Sequence, residues 1–211
     1  SGIHLTFAPM TDLVRDPRWG RVMESTGEDP WLNARMAESM VRGFQGDNIA
    51  QKGKMASCIK HFAAYGAVQA GRDYNVTELS EHTLFEDYLV SYRAAVKAGA
   101  SMVMTAFNTI DRKPCTTNRR LLRDILREDM GFDGVIVTDD LYMDAIRTTM
   151  EIGEAAVRAV EAGNDLLCVT EFEQQVPAVI DAVHAGRLTE ERIEQSVMRI
   201  LLWKIDLGLI Q

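Results

Sequence analysis

Basic charge is what this chain is short of. Its 23 Lys and Arg stand against 31 Asp and Glu, a formal net charge of −8. That balance argues against a nucleic-acid backbone or an anionic membrane as the main partner, because either needs a basic face. A neutral partner, such as a sugar, is compatible. Cysteine is scarce as well: Cys58, Cys115 and Cys168 are odd in number, widely spaced and form no CxxC, so neither a disulfide framework nor a zinc site is signalled. Reduced, partly buried thiols are expected. The four histidines, His4, His61, His82 and His184, lack HExxH spacing, and the carboxylates lack a calcium-loop pattern, so no metal is expected. Neither GxxxxGK[ST] nor GxGxxG occurs, which leaves nucleotide chemistry and a cofactor without support. There is no run of about 18 apolar residues to span a bilayer. The opening "SGIHLTFAPM" lacks the basic-then-apolar pattern of a signal peptide. A cytoplasmic location is the first expectation and secretion the second, since the chain does not begin with Met.

What is present is an ordinary globular composition, 46% hydrophobic and 26% charged, over 211 residues. That length suits one sizeable domain, 1–211. Short apolar runs alternate with longer helical patterns, which is the rhythm of parallel βα units. The strand candidates are Leu5–Ala8, Met55–Ile59, Ser101–Thr105, Val135–Thr138 and Asp165–Val169. Helices are expected over 30–45 with Pro30 in the first turn, over 81–97 after an N-cap at Ser80, and over 117–130, 151–162 and 172–185. A last helix should follow Thr189, with Ile193, Val197, Ile200, Leu201 and Leu202 on its apolar stripe. The fold class is therefore α/β, either a parallel barrel or an open doubly wound sheet. A complete eightfold barrel takes about 250 residues, so five strands predict an incomplete one with N-terminal strands missing. An open barrel edge would favour self-association or a homo-oligomer.

In either architecture chemistry sits at the carboxyl ends of the strands. The stretch "GVIVTDDLYMDA" carries Asp139 and Asp140 at such an end, and strand parity alone does not choose between them. Lys60 and His61 end another strand in "SCIKHFAAYG". The long loop "FAPMTDLVRDPRWGRVMESTGEDP" brings Arg15, Asp16, Arg18, Trp19, Arg21, Glu24, Glu28 and Asp29; packing is the expected role of Trp19, and internal ion pairs that of most of the charges. Arg72 and Asp73 lie in a Gly-rich loop that reads equally as a lid or a solvated turn. Met104, Phe107 and Asn108 reach the rim after the third strand. Together these groups describe a concave site with carboxylate, ammonium, imidazole, guanidinium and apolar walls.

In that order, "RDPRWGRVMESTGEDP", "KHFAAYG…GRDYN", "VMTAFN" and "GFDGVIVTDD" resemble the catalytic barrel domain of glycoside hydrolase family 3, particularly its bacterial β-glucosidase branch. The closing "GRLTEERIEQSVMRILLWKIDLGL" is similar to the helix that ends the family's first domain. The resemblance implies a TIM-type (β/α)8 barrel and a retaining β-glycosidase with Asp139 as nucleophile, acting on terminal β-glucosyl residues. It also implies that Arg21, Lys60 and His61 hold sugar hydroxyls while Met104 and Phe107 line the wall. Two residues depart from the β-glucosidase pattern: Phe107 stands for Tyr and Asp140 for Trp. The Asp–Asp pair resembles the family's N-acetylglucosaminidases, although Tyr65 replaces their acid/base histidine. A phosphorylase of the same family fits these residues too, and so, outside enzymes, does a non-catalytic carbohydrate-binding or structural remnant. The family's upstream barrel segment and its second domain, which gives β-glucosidases their acid/base Glu, are not in these 211 residues. The isolated chain is expected to be a weak catalyst.

Overall fold

The computed structural model describes residues 2–143, 146, 149–168 and 171–211. Four parallel strands, β1 (Leu5–Thr6), β2 (Ala56–Phe62), β4 (Met102–Thr105) and β7 (Val135–Val137), lie side by side in that order. A further parallel bridge joins Val137 to Leu166, which extends the arc to the fifth expected segment; Val169, its predicted end, lies outside the described residues. Helices follow the strands in turn: α1 (Pro30–Gln45), α2 (Glu81–Thr83) continued by a π turn into α3 (Val90–Lys97), α4 (Arg120–Asp129, wound with π geometry), α5 (Ile152–Ala162), α6 (Phe172–His184) and α7 (Glu190–Asp206). This is part of a TIM-type barrel. The expected caps are in place: Ser80 accepts from the Thr83 N–H and Thr189 from the Arg192 N–H. Asp29 caps α1, with Pro30 at its first position.

Strands β2, β4 and β7 are buried on both faces, as parallel barrel strands are, while β1 is half-buried. On the inner face Cys58, Met102, Met104, Val135 and Val137 form one layer. On the outer face Ile59, Val103 and Ile136 pack against helices through Val41, Tyr92, Leu122 and Leu126. Two departures from the expected rhythm matter. A small second sheet joins β3 (Val76–Thr77) to β5 (Thr109–Ile110), and β5 to β6 (Lys113–Pro114), so one hairpin interrupts the βα order. And β2 runs three residues beyond its expected end at Ile59, which places Lys60 and His61 inside the strand.

Two buried side chains tie the layers at the amino ends of the strands. The Gln45 amide oxygen, at the end of α1, receives the N–H and hydroxyl of Ser57 at 3.1 and 2.6 Å and those of Ser101 at 3.0 and 2.7 Å. Its NH2 donates to the Gly99 carbonyl. Asp165, whose side chain has no exposed surface, takes Arg127 of α4, Arg199 and Ser196 of α7 and the Ile136 N–H. Burial lowers the Arg127 guanidinium to about 10, with Asp165 acting in the opposite direction.

Gln45→Ala should therefore cost about 2–4 kcal/mol, because two strand N–H groups lose their acceptor inside the protein. Urea unfolding should show a lower midpoint at unchanged slope. An unaltered midpoint would mean that Ser57 and Ser101 find other partners.

Candidate active site

The site begins in the segment after β1. Met10 bridges to Lys60, the Thr11 N–H donates to the Lys60 carbonyl at 2.7 Å, and the Thr11 carbonyl receives Asn33 of α1 and Ser91 of α3. So fixed, the chain presents Asp12 to His61. The carboxylate is fully buried. Its Oδ2 accepts the His61 backbone N–H at 3.0 Å and lies 2.9 Å from His61 Nδ1, while Oδ1 lies 3.2 Å from the Tyr92 hydroxyl. The single proton of that hydroxyl is shared with the His61 carbonyl, the nearer acceptor at 2.6 Å.

A bulge in β2 explains why Lys60 and His61 can serve one site. Cys58 and Ile59 pair with Met102 and Val103, but Phe62 pairs with Thr105, so three steps on β2 match two on β4. Ile59 and Phe62 consequently both pack into the helix-side core. The two residues between them are freed from the ordinary alternation. Phe62 meets Tyr92 edge to face at 5.1 Å, which holds the bulge from outside.

Across the mouth, β7 sets the position of Asp139. Val135 and Val137 belong to the inner layer and Ile136 to the outer one, so Asp139 has the inward parity. Its Oδ2 lies 3.9 Å from His61 Nε2, and its Oδ1 accepts the Asp140 N–H. About a quarter of the Asp139 side chain remains exposed. Asp140 accepts the Tyr142 N–H, a local turn contact. Arg21 Nη1 lies 3.1 Å from His61 Nε2, and Arg21 holds Glu24 through two hydrogen bonds of 2.7 Å. That pairing raises the Arg21 pKa and lowers that of Glu24, so both stay charged.

Arg21, His61 and Asp139 are thus brought together. Lys60 is half-buried, and its charge acts on both Glu24 and Cys58. Met104 lies in the inner layer beside Cys58 and Val137. Phe107 is buried beside Leu141, with Tyr74 at 6.4 Å. Trp19 is a packing residue: it is buried, meets Tyr65 edge to face and donates its indole N–H to Asp73 at 2.8 Å. Tyr65 also donates to Asp73, and its ring lies 5.3 Å from the His61 ring and 5.8 Å from the Arg21 guanidinium. Burial pushes the Tyr65 hydroxyl well up, so it remains a neutral donor. The loop of Arg72 and Asp73 therefore buttresses the wall through Asp73. Most charges of the long loop pair or cap: Arg18 with Asp16 and Arg21 with Glu24 within it, as expected, Arg15 with Asp87 outside it, and Asp29 on α1. Sequence reasoning passed over Asp12, Tyr65 as a wall residue and Tyr92. For Asp12 a signal existed, since a lone acid inside the apolar "PMTDLV" has no reason to be there without a partner.

Among the described residues no cluster of three or more His, Cys, Asp or Glu side chains is arranged to hold a metal ion. Nor is any helix long and apolar enough to cross a membrane.

Comparison with known proteins identifies what this arrangement is similar to. The profile of the Glycosyl hydrolase family 3 N terminal domain matches residues 1–202. A periplasmic β-glucosidase of Salmonella typhimurium is 39% identical over 99% of the chain, and a xylan 1,4-β-xylosidase of Xylanibacter ruminicola 34% over 96%. The chain spans 27% and 24% of those two relatives, about a quarter of their length. The crystal structure of a β-glucosidase from Listeria innocua superposes with a TM-score of 0.91 at 46% identity, over 98% of this chain and 29% of that one.

Asp73→Ala removes the acceptor shared by Trp19 and Tyr65 and leaves a buried indole N–H without its bond. The expected loss is about 1–3 kcal/mol, accompanied by a changed tryptophan emission in the native state. Wild-type stability and emission would show that Asp73 does not hold this wall.

Proposed function

The chain belongs to glycosyl hydrolase family 3, within its N-terminal domain, and from that premise we propose that it carries the nucleophile side of a retaining β-glycosidase. Asp139 attacks the anomeric carbon through an oxocarbenium-like transition state. The bond to the leaving oxygen breaks as that oxygen takes a proton from an acid, and water then releases the sugar from the covalent intermediate. Arg21, Lys60 and His61 hold hydroxyls of the transferred unit, and Met104 and Phe107 form its apolar wall. The observation that carries this reading is the convergence of His61 Nε2 on both Asp139 and Arg21, at 3.9 and 3.1 Å, in a mouth where Asp139 is partly exposed. A carboxylate so placed is open to a substrate while hydrogen-bonding groups of the same site stand on one side of it.

A retaining mechanism needs a second carboxyl group about 5–5.5 Å from the first. Asp12 is buried on His61 and Glu24 is committed to Arg21, so we assign the acid to neither. The transferred unit we propose is a terminal, non-reducing β-glucosyl residue. A β-xylosyl residue is the second reading, favoured by the xylosidase among the relatives. The reaction as proposed requires no cofactor.

The test uses 2,4-dinitrophenyl 2-deoxy-2-fluoro-β-glucoside. Dinitrophenolate leaves without protonation, so the first step reports the nucleophile independently of the acid, and fluorine slows the second step. We expect one fluoroglucosyl group on the peptide that contains Asp139. Asp139→Asn should abolish labelling and Asp140→Asn should retain it. Label on Asp140, or labelling of the Asp139→Asn protein, would overturn the assignment. The xyloside analogue labelling faster would select the second reading.

A further inference from the structure

His61 is held at its two ring nitrogens by groups of opposite hydrogen-bonding character. Nδ1 lies 2.9 Å from Asp12 Oδ2, a carboxylate oxygen that only accepts, so Nδ1 carries a proton. Nε2 lies 3.1 Å from Arg21 Nη1, and a guanidinium only donates, so Nε2 carries a lone pair. The two constraints agree on one state, the neutral imidazole with its proton on Nδ1. That is the opposite of the Nε2–H form an unconstrained histidine favours.

We infer that Asp12 is a positioning residue for the site, which fixes His61 as a hydrogen-bond acceptor at Nε2; the functional consequence rests on the glycosidase reading above. The charges around the ring are consistent with a neutral imidazole. Asp12 faces it from the segment after β1 and Asp139 from the end of β7, while Arg21 and the neighbouring Lys60 oppose them; Glu24 faces it through Arg21. The Tyr65 ring edge and the Tyr92 hydroxyl add no charge. An imidazolium would repel Arg21 and turn an Nε2–H toward Asp139. It would thereby engage the electron pair that the nucleophile needs.

For a ligand the consequence is directional. A sugar hydroxyl that replaces Arg21 on Nε2 must donate a hydrogen bond to His61, keeping its proton, and its oxygen then accepts from Arg21 or Lys60. Hydroxyl groups satisfy both demands, whereas fluorine or an ether oxygen satisfies only the second. The site would so distinguish a free hydroxyl from a substituted one through the tautomer that a buried carboxylate imposes.

Long-range proton–nitrogen NMR on the chain labelled with 15N-histidine tests this, with the His61 signals identified by their loss in His61→Gln. At neutral pH His61 should show a protonated Nδ1 and an unprotonated Nε2. A proton on Nε2, alone or together with one on Nδ1, overturns the inference. In Asp12→Asn the amide oxygen can still face Nδ1 while the NH2 faces the Tyr92 oxygen, so the tautomer should be kept. In Arg21→Met the tautomer should be kept by Asp12 alone, and its loss there would overturn the inference; in Asp12→Ala combined with Arg21→Met it should shift toward Nε2–H, and an unchanged tautomer there would overturn it as well. Should that double variant not fold, the wild-type, Asp12→Asn and Arg21→Met spectra decide. With glucose added, Nε2 should move but remain unprotonated, and a proton appearing on it would reverse the proposed direction. The two readings fail separately, because missing label on Asp139 removes the glycosidase mechanism and leaves the tautomer of the free chain as measured.

Discussion

A carboxylate without access to water has to be met by donors, and at Asp12 those donors come from the next strand and from a helix beyond it. His61 supplies a backbone and a ring N–H, and Tyr92 brings its hydroxyl from α3. Such a group is tolerated inside a protein only when all of them are in place. The bulge of β2, the setting of the loop before Trp19 and the orientation of the imidazole are therefore satisfied together. Arg21 then finds the one ring nitrogen still open, and Glu24 neutralises Arg21. A single buried charge thus organises a row of alternating donors and acceptors that ends beside Asp139.

The order of elements was legible because each unit announces itself by a local rule. Pro30 after Asp29, Ser80 and Thr189 mark helix starts, and the apolar runs ending in Asp139 and His61 mark strands. The β5–β6 hairpin was not legible. Its turn places Asp111 and Arg112 at φ of 53° and 62°, a conformation usually signalled by Asn-Gly, and Arg112 gives no such sign. Nor could spacing reveal the bulge. Ile59 and Phe62 sharing a face contradicts the period of two, and only Phe62 on Tyr92 makes it visible.

The site was legible in its chemistry and opaque in its wiring. The residues at strand ends that bear charge, Lys60, His61 and the pair Asp139–Asp140, were identifiable because parallel folds collect such groups there. Arg21, and Asp139 over Asp140, came from the motif rather than from physics. Asp12 was hidden because its partners lie 49 and 80 positions away, His61 on a strand whose end was placed too early and Tyr92 within the helix expected over 81–97.

At the opposite end of the strands, Asp165 gathers Arg127, Arg199, Ser196 and the Ile136 N–H with none of its side-chain surface exposed. Part of the stability thus rests away from the chemistry. A substitution among the loops at the mouth leaves this anchorage untouched, whereas loss of the Asp165 charge would leave neighbouring guanidinium groups facing one another without their shared counter-ion. The two ends of the barrel are consequently under different constraints: the base must keep the charges around Asp165 in register, whereas at the rim only the side chains not tied to Asp12 or Asp73 can change, and with them the ligand, without loosening the strands that carry them.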